Sequence, residues 1–149
     1  MIYLFRYNWQ VREEWFHLCE QISHEELMAS RTGGLGSISK TLFHVVDIEQ
    51  SWINGLCGKP EYHHEYSDYS SLNEIKKLSA QCRPSIEKVI LGWNPEKDTQ
   101  LIFGFTYGEV IRHIIAHEIH HIGQLSIWAR ELGIEPVSAN LILRGLYNE

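Results

Sequence analysis

Cysteine is scarce in this chain. Only Cys19, Cys57 and Cys82 occur in 149 residues, and no two form a CxxC pair. An odd count without paired spacing excludes a disulfide framework and a thiolate zinc ribbon, and it fits a reducing compartment. Positive charge is also short. Thirteen Lys and Arg stand against nineteen Asp and Glu, a formal net charge of −6. Duplex nucleic-acid binders show a basic patch, and anionic membrane surfaces recruit basic clusters, so the balance argues against both partners. Long apolar runs are missing as well. No stretch approaches the roughly 18 uninterrupted apolar residues of a spanning helix. The first residues, Met1 to Tyr7, reach Arg6 too soon for the apolar run of a signal peptide. A soluble cytoplasmic protein is expected. There is no internal repeat and no low-complexity segment. The glycines of Arg31–Ser37 do not have GxGxxG spacing and no strand precedes them, which argues against a phosphate cradle.

What remains is enough for one domain, expected to span 1–149. Hydrophobic residues make up 44% of the chain, with five Trp and seven Tyr among them, so a sizeable core can form. Histidine is the unexplained abundance. There are nine, and four lie between His113 and His121.

Apolar spacing predicts four long helices. Leu4, Tyr7, Val11, Trp15, Leu18 and Ile22 recur every three or four residues, which gives a helix over 2–22. A second helix runs from Ser37 to Leu56 on Leu42, Val45, Val46, Ile53 and Leu56, and Gly58 and Pro60 stop it. A third follows the capping box Ser71–Glu74 to about Trp93, with Pro84 inside it and expected to bend it. The fourth follows the capping box Thr106–Glu109 to Leu132, with Gly133 as its C-terminal cap. Ser23–Glu26 matches a further box that restarts a short turn, and Thr99–Phe105 reads as a short extended piece. A last short helix is expected over Ser138–Leu146. The fold class is therefore all-α: an antiparallel four-helix bundle with a crossover through the 58–70 loop, plus a short C-terminal helix. The polar, aromatic stretch 61–69, with His63 and His64, is read as an ordered loop over a pocket.

Helical phase separates the fourth helix into two sectors. At about 100° per residue, Ile111, Ile115, Ile119, Ile122, Leu125 and Ala129 fall on one side. His113, His117, His121 and Gln124 fall on an adjoining one, so the imidazoles border the bundle interior. Two imidazoles at i and i+4 converge on one metal ion. The pairs available are His113/His117 and His117/His121. Glu118 points about 100° from His117 and is a poor candidate for the general base of an HExxH helix. The third ligand must come from another element. His44, a polar ring among Leu42, Phe43, Val45 and Val46, is the best candidate. The competing reading makes His44 a hydrogen-bonded core residue and the others solvent-facing. His17 and His24 are read as surface residues, and His113 and His120 as neighbours of the cluster.

Two blocks carry a resemblance. Ser37–Glu49, with its single His44, is similar to the second-helix segment of the DinB family. His113–Leu125 resembles that family's HxxxHxxHHxGQ signature, and Tyr7-Asn8-Trp9 is weakly similar to its start. The resemblance covers essentially the whole chain. It implies a divalent metal held by His44, His117 and His121, and a homodimer. It also implies, by way of some relatives, a metal-dependent S-transferase using a low-molecular-weight thiol. The family pattern often has Arg before Gly-Gln, where this chain has Ile122, and one polar contact near the site is lost with it.

Three neutral imidazoles leave the ion's positive charge intact and at least one position open. Such a site lowers the pKa of a bound thiol or water. The expected cofactor is thus a divalent ion, with Zn, Ni, Fe and Mn all compatible. The expected partner is a small-molecule substrate. A metal-dependent hydrolase and a non-catalytic metal-binding module are the alternatives. Closure of the site by a fourth protein ligand, His113 or His64, would favour the module. Asp47 is placed to orient an imidazole, and Gln124 to hydrogen-bond a ligand or another helix.

Overall fold

A computed structural model describes residues 1–148; Glu149, the end of the expected domain, lies outside the described residues. The helices are α1 (Ile2–Cys19), α2 (His24–Met28), α3 (Ile38–Leu56), α4 (Leu72–Leu91) and α5 (Tyr107–Glu131). A two-residue hairpin, β1 (Leu101–Ile102) and β2 (Phe105–Thr106), precedes α5. The caps explain the boundaries. The Ser37 hydroxyl accepts the Lys40 N–H, and both Ser71–Glu74 and Thr106–Glu109 close as reciprocal boxes. Leu132 caps α5, and Gly133 follows at φ 71°, a left-handed conformation that costs glycine nothing. α4 continues through Pro84 without a break.

Both α3 and α1 pack against α4 and α5. Side-chain pairings give the directions. His44 meets His117 while Trp52 meets His113, so α3 and α5 are antiparallel. Asn8 meets Ile115 while Arg12 meets Glu118, so α1 and α5 are parallel. Trp9 meets Arg83 while Arg12 meets Ser79, so α1 and α4 are antiparallel. The neighbours α3 and α4 therefore run the same way, and the connection between them must retrace the length of α3. It does so as the expected crossover. His63 and His64 pair with Asp47, then Tyr66 and Tyr69 lie against Phe43. Among the described residues no helix is long and apolar enough to cross a membrane.

The core is continuous between the four long helices, with Trp15, Phe16, Phe5, Leu42, Val46, Ile75, Ile86, Ile111 and Leu125 at 2% exposure or less. Each such side chain contributes roughly 1.5–3 kcal/mol by leaving water. Two expectations are corrected. Residues 138–146 form turns, not a helix. The Arg144 guanidinium donates to the carbonyls of Ser138 and Asn140, the acceptors a helix would need, and Leu143 (φ 69°) and Gly145 (φ 74°) are left-handed. The tail is held on α1 instead, by Arg144 to Glu14 at 2.9 Å and by the Tyr7 hydroxyl donating to the Ala139 carbonyl at 2.7 Å. Second, Ile119 is 44% exposed while Glu118 lies in the core at 2%. A charged partner reverses the hydrophobic assignment.

Candidate metal centre

The antiparallel crossing of α3 and α5 brings His44 opposite His117, and the i,i+4 step adds His121. His44 Nε2 and His117 Nε2 are 3.1 Å apart. Ring centroids of His121 lie 4.9 Å from His44 and 4.5 Å from His117. One ring nitrogen from each of the three falls within 4.8 Å of the other two, and no fourth His, Cys, Asp or Glu among the described residues joins them. All three expected ligands are thus brought together. His113 and His120 are exposed and stay outside the group. His113 lies edge-on to Trp52 with centroids 5.6 Å apart. His64 has both ring nitrogens engaged, by Gln50 at 2.6 Å and the Tyr69 hydroxyl at 3.0 Å. Neither proposed fourth ligand closes the site. His17 is exposed beside Glu20, and His24 is exposed at the start of α2.

The electrostatics suit a cation. Half-burial pushes His117 down to about 4, helped by the neighbouring His121 and His44 rings. His44 is lowered by burial and by His121; His121 is lowered by burial, against the Gln124 hydrogen bond. All three rings are therefore neutral at pH 7, the form that ligates. The spacing fits as well. Two nitrogens each bonded at 2.0–2.1 Å to a tetrahedral ion are about 3.3 Å apart, close to the 3.1 Å between His44 and His117. The three-His group can hold a metal ion, and the all-imidazole donor set leaves that ion's charge unneutralised.

The surroundings fix the rings. His121 Nδ1 is 3.2 Å from Gln124 Oε1. A carbonyl oxygen only accepts, so Nδ1 carries the proton and Nε2 is left as the ligating atom. Gln124 itself is braced by the glycine loop: a Cβ on Gly34 would overlap its Oε1 and lie 2.9 Å from its Cδ, and the backbone there has φ 49°. Trp128 holds that loop through its Nε1–H to the Thr32 carbonyl at 3.2 Å. The loop that could not cradle a phosphate thus positions a metal-site residue.

Asp47 does orient an imidazole, but it is not that of His44. One oxygen accepts from His63 Nδ1 at 2.9 Å and the other from the His64 backbone N–H at 2.8 Å. This clip pins the 61–69 loop to α3. It also raises His63, chiefly through the Asp47 hydrogen bond, against a smaller opposing effect of desolvation.

Sequence reasoning missed a buried network under the site. Arg12 is fully buried and bidentate on Glu118, Nε to Oε1 at 2.7 Å and Nη2 to Oε2 at 2.6 Å. Its Nη1 reaches Glu49 at 3.0 Å, and Glu49 also accepts from Trp9 Nε1 at 2.7 Å. Burial pushes the Glu118 carboxyl upward, and Arg12 pulls against it. Glu118 adjoins His117 on α5 and Glu49 follows His44 on α3, so Arg12 ties together the two helices that carry the ligands. The available signal was three charged residues on otherwise apolar helix faces.

The DinB family sequence profile matches residues 2–145. The chain belongs to the DinB family. It is 45% identical over 153 residues to the Bacillus subtilis (strain 168) protein YizA, described only as uncharacterized, across 98% of this chain and 96% of YizA. In this DinB protein, His44, His117 and His121 come together at the α3–α5 crossing.

Proposed function

We propose that this DinB protein is a divalent-metal-dependent thiol S-transferase: it activates a low-molecular-weight thiol at His44, His117 and His121, and the thiolate sulfur bonds to an electrophilic carbon of a small molecule, giving a thioether and releasing that carbon's leaving group. The observation that carries the reading is the convergence of three imidazoles with no fourth protein ligand among the described residues. When bound, a divalent ion there supplies positive charge that stabilises a thiolate at neutral pH. The chain's own residues do the rest. Gln124 keeps the His121 proton on Nδ1, and Asp47 pins the 61–69 loop to the helix that carries His44. The reading goes with a reducing cytoplasmic setting and a homodimer. A hydrolase is the second reading, favoured by His63, an imidazole oriented by Asp47 as general bases are.

The test has two stages. Metal content of the purified protein should be near stoichiometric, with His117→Ala and His121→Ala each losing it. Metal-loaded protein should then conjugate a panel of bacterial thiols to a generic electrophile such as chlorodinitrobenzene, forming the aryl thioether and releasing chloride. Ester hydrolysis without thiol consumption selects the hydrolase. Full metal loading with neither reaction leaves the non-catalytic module.

A further inference from the structure

Beside the metal centre lies a groove lined by none of its three histidines. Trp52 and Ile48 of α3 form its floor, Phe103 and Phe105 of the hairpin one wall, and His63 and Ser51 its polar end; its volume is about 590 Å³. That is the size range of small-molecule sites, which are mostly apolar with a few placed polar groups. It lies near the metal centre: Trp52 and Phe105 also line a smaller cavity with His113, whose ring centroid is 5.7 Å from that of His117.

The aromatic wall is not a by-product of folding. Phe103 is 70% exposed and Phe105 52% exposed, so neither ring is spent on the core. Phe103 and Gly104 form the two-residue loop of the hairpin with φ 53° and φ 84°. Two positive φ values define a type I′ turn, in which Asn is favoured at the first position and a bulky side chain is strained. A strained, exposed phenylalanine stands where Asn would suit the turn better. Its ring leans on α3 at Gly55, where an added Cβ would lie 3.6 Å from Phe103 Cε2.

The polar end has one nitrogen suited to a ligand. Asp47 takes His63 Nδ1–H, so Nε2 is left as an acceptor, facing the Ser51 hydroxyl at 3.5 Å. That contact is long, and a ligand hydroxyl can replace it.

We propose that this groove binds an aromatic small molecule bearing one hydroxyl, with the ring between Trp52, Phe103 and Phe105 and the hydroxyl donating to His63 Nε2. This deepens the transferase reading by naming the substrate class, and it rests on that reading only for what the ligand is used for.

The test uses 2-naphthol as probe and the full chain after metal removal with EDTA, so that it succeeds or fails independently of the metal chemistry. Wild type should bind one 2-naphthol per chain by calorimetry. Phe103→Asn should weaken binding at least fivefold while the melting temperature stays equal or rises, since Asn suits the turn. A purely structural role for Phe103 would give the opposite pattern. His63→Leu should also weaken 2-naphthol at least fivefold, whereas Tyr147→Ser, on an exposed ring elsewhere, should not. Unchanged affinity in Phe103→Asn, or no saturable binding by wild type, overturns the groove assignment. Unchanged affinity in His63→Leu overturns the polar end. A wild-type dimer that Phe103→Asn converts to monomer overturns the proposal in favour of a second copy of the chain on this face.

Discussion

Replacing Arg12 by Met removes a guanidinium and leaves two buried carboxylates facing each other. Glu118 and Glu49 are each 2% exposed, and Arg12 supplies the bidentate pair to one and a 3.0 Å bond to the other. Breaking a buried pair from one side costs about 3–5 kcal/mol, because the partner is stranded without water. Total stability is about 5–15 kcal/mol. For a chain of this size each kcal/mol shifts Tm by about 2–4 °C, so Arg12→Met should melt about 6–20 °C below wild type. The pH dependence carries the mechanism. Unpaired buried carboxylates have folded pKa values above the unfolded value, so the folded state takes up protons as pH falls. The deficit should therefore be greatest near pH 8 and shrink toward pH 5. Urea titrations of metal-free protein at those two pH values measure it. A loss under about 1 kcal/mol, or one equal at both pH values, would refute the assignment of Arg12 as the charge clamp between the ligand-bearing helices.

Three further outcomes are expected. Gly34→Ala drives a Cβ into Gln124 and displaces it from His121; metal affinity by competition with a chelator should fall about 10–100-fold, as should that of Gln124→Ala. His117 has a folded pKa of about 4, below its unfolded value near 6.5, so its contribution to metal-free stability is complete above pH 6.5 and lost as pH falls toward 4; His117→Gln should flatten the stability curve in that window, and an unchanged slope would count against the neutral-imidazole site. Asp47→Ala releases both the His63 ring and the His64 N–H, and amide exchange over 61–69 should quicken while that of α4 is unaffected.

The parts of this fold that were legible in the sequence are those encoded locally. Ser71–Glu74 and Thr106–Glu109 announce helix starts because both bonds of a capping box lie within four residues. His117 and His121 share a face because helical phase is a local property. His44 was legible as a polar ring in an apolar stripe. What was not legible depends on partners distant in sequence. Arg12 and Glu118 are 106 residues apart, and without Arg12 the apolar phase of α5 points Ile119 inward instead. Asp47 looked like a partner for His44 by its spacing, but His63 arrives through the crossover and takes it. The tail from Ser138 has no capping signal against it; Arg144 bonding back to the carbonyls of Ser138 and Asn140 decides its shape.

The central claim is that His44, His117 and His121 together hold one divalent ion with a position left open. X-ray absorption of the metal-loaded protein tests it most directly. Three imidazole nitrogens at about 2.0–2.1 Å with at least one further light-atom ligand are expected, and one imidazole fewer in His44→Ala. In thiol-free buffer, a sulfur ligand from the protein, a fourth imidazole, or a His44→Ala spectrum identical to wild type would contradict it.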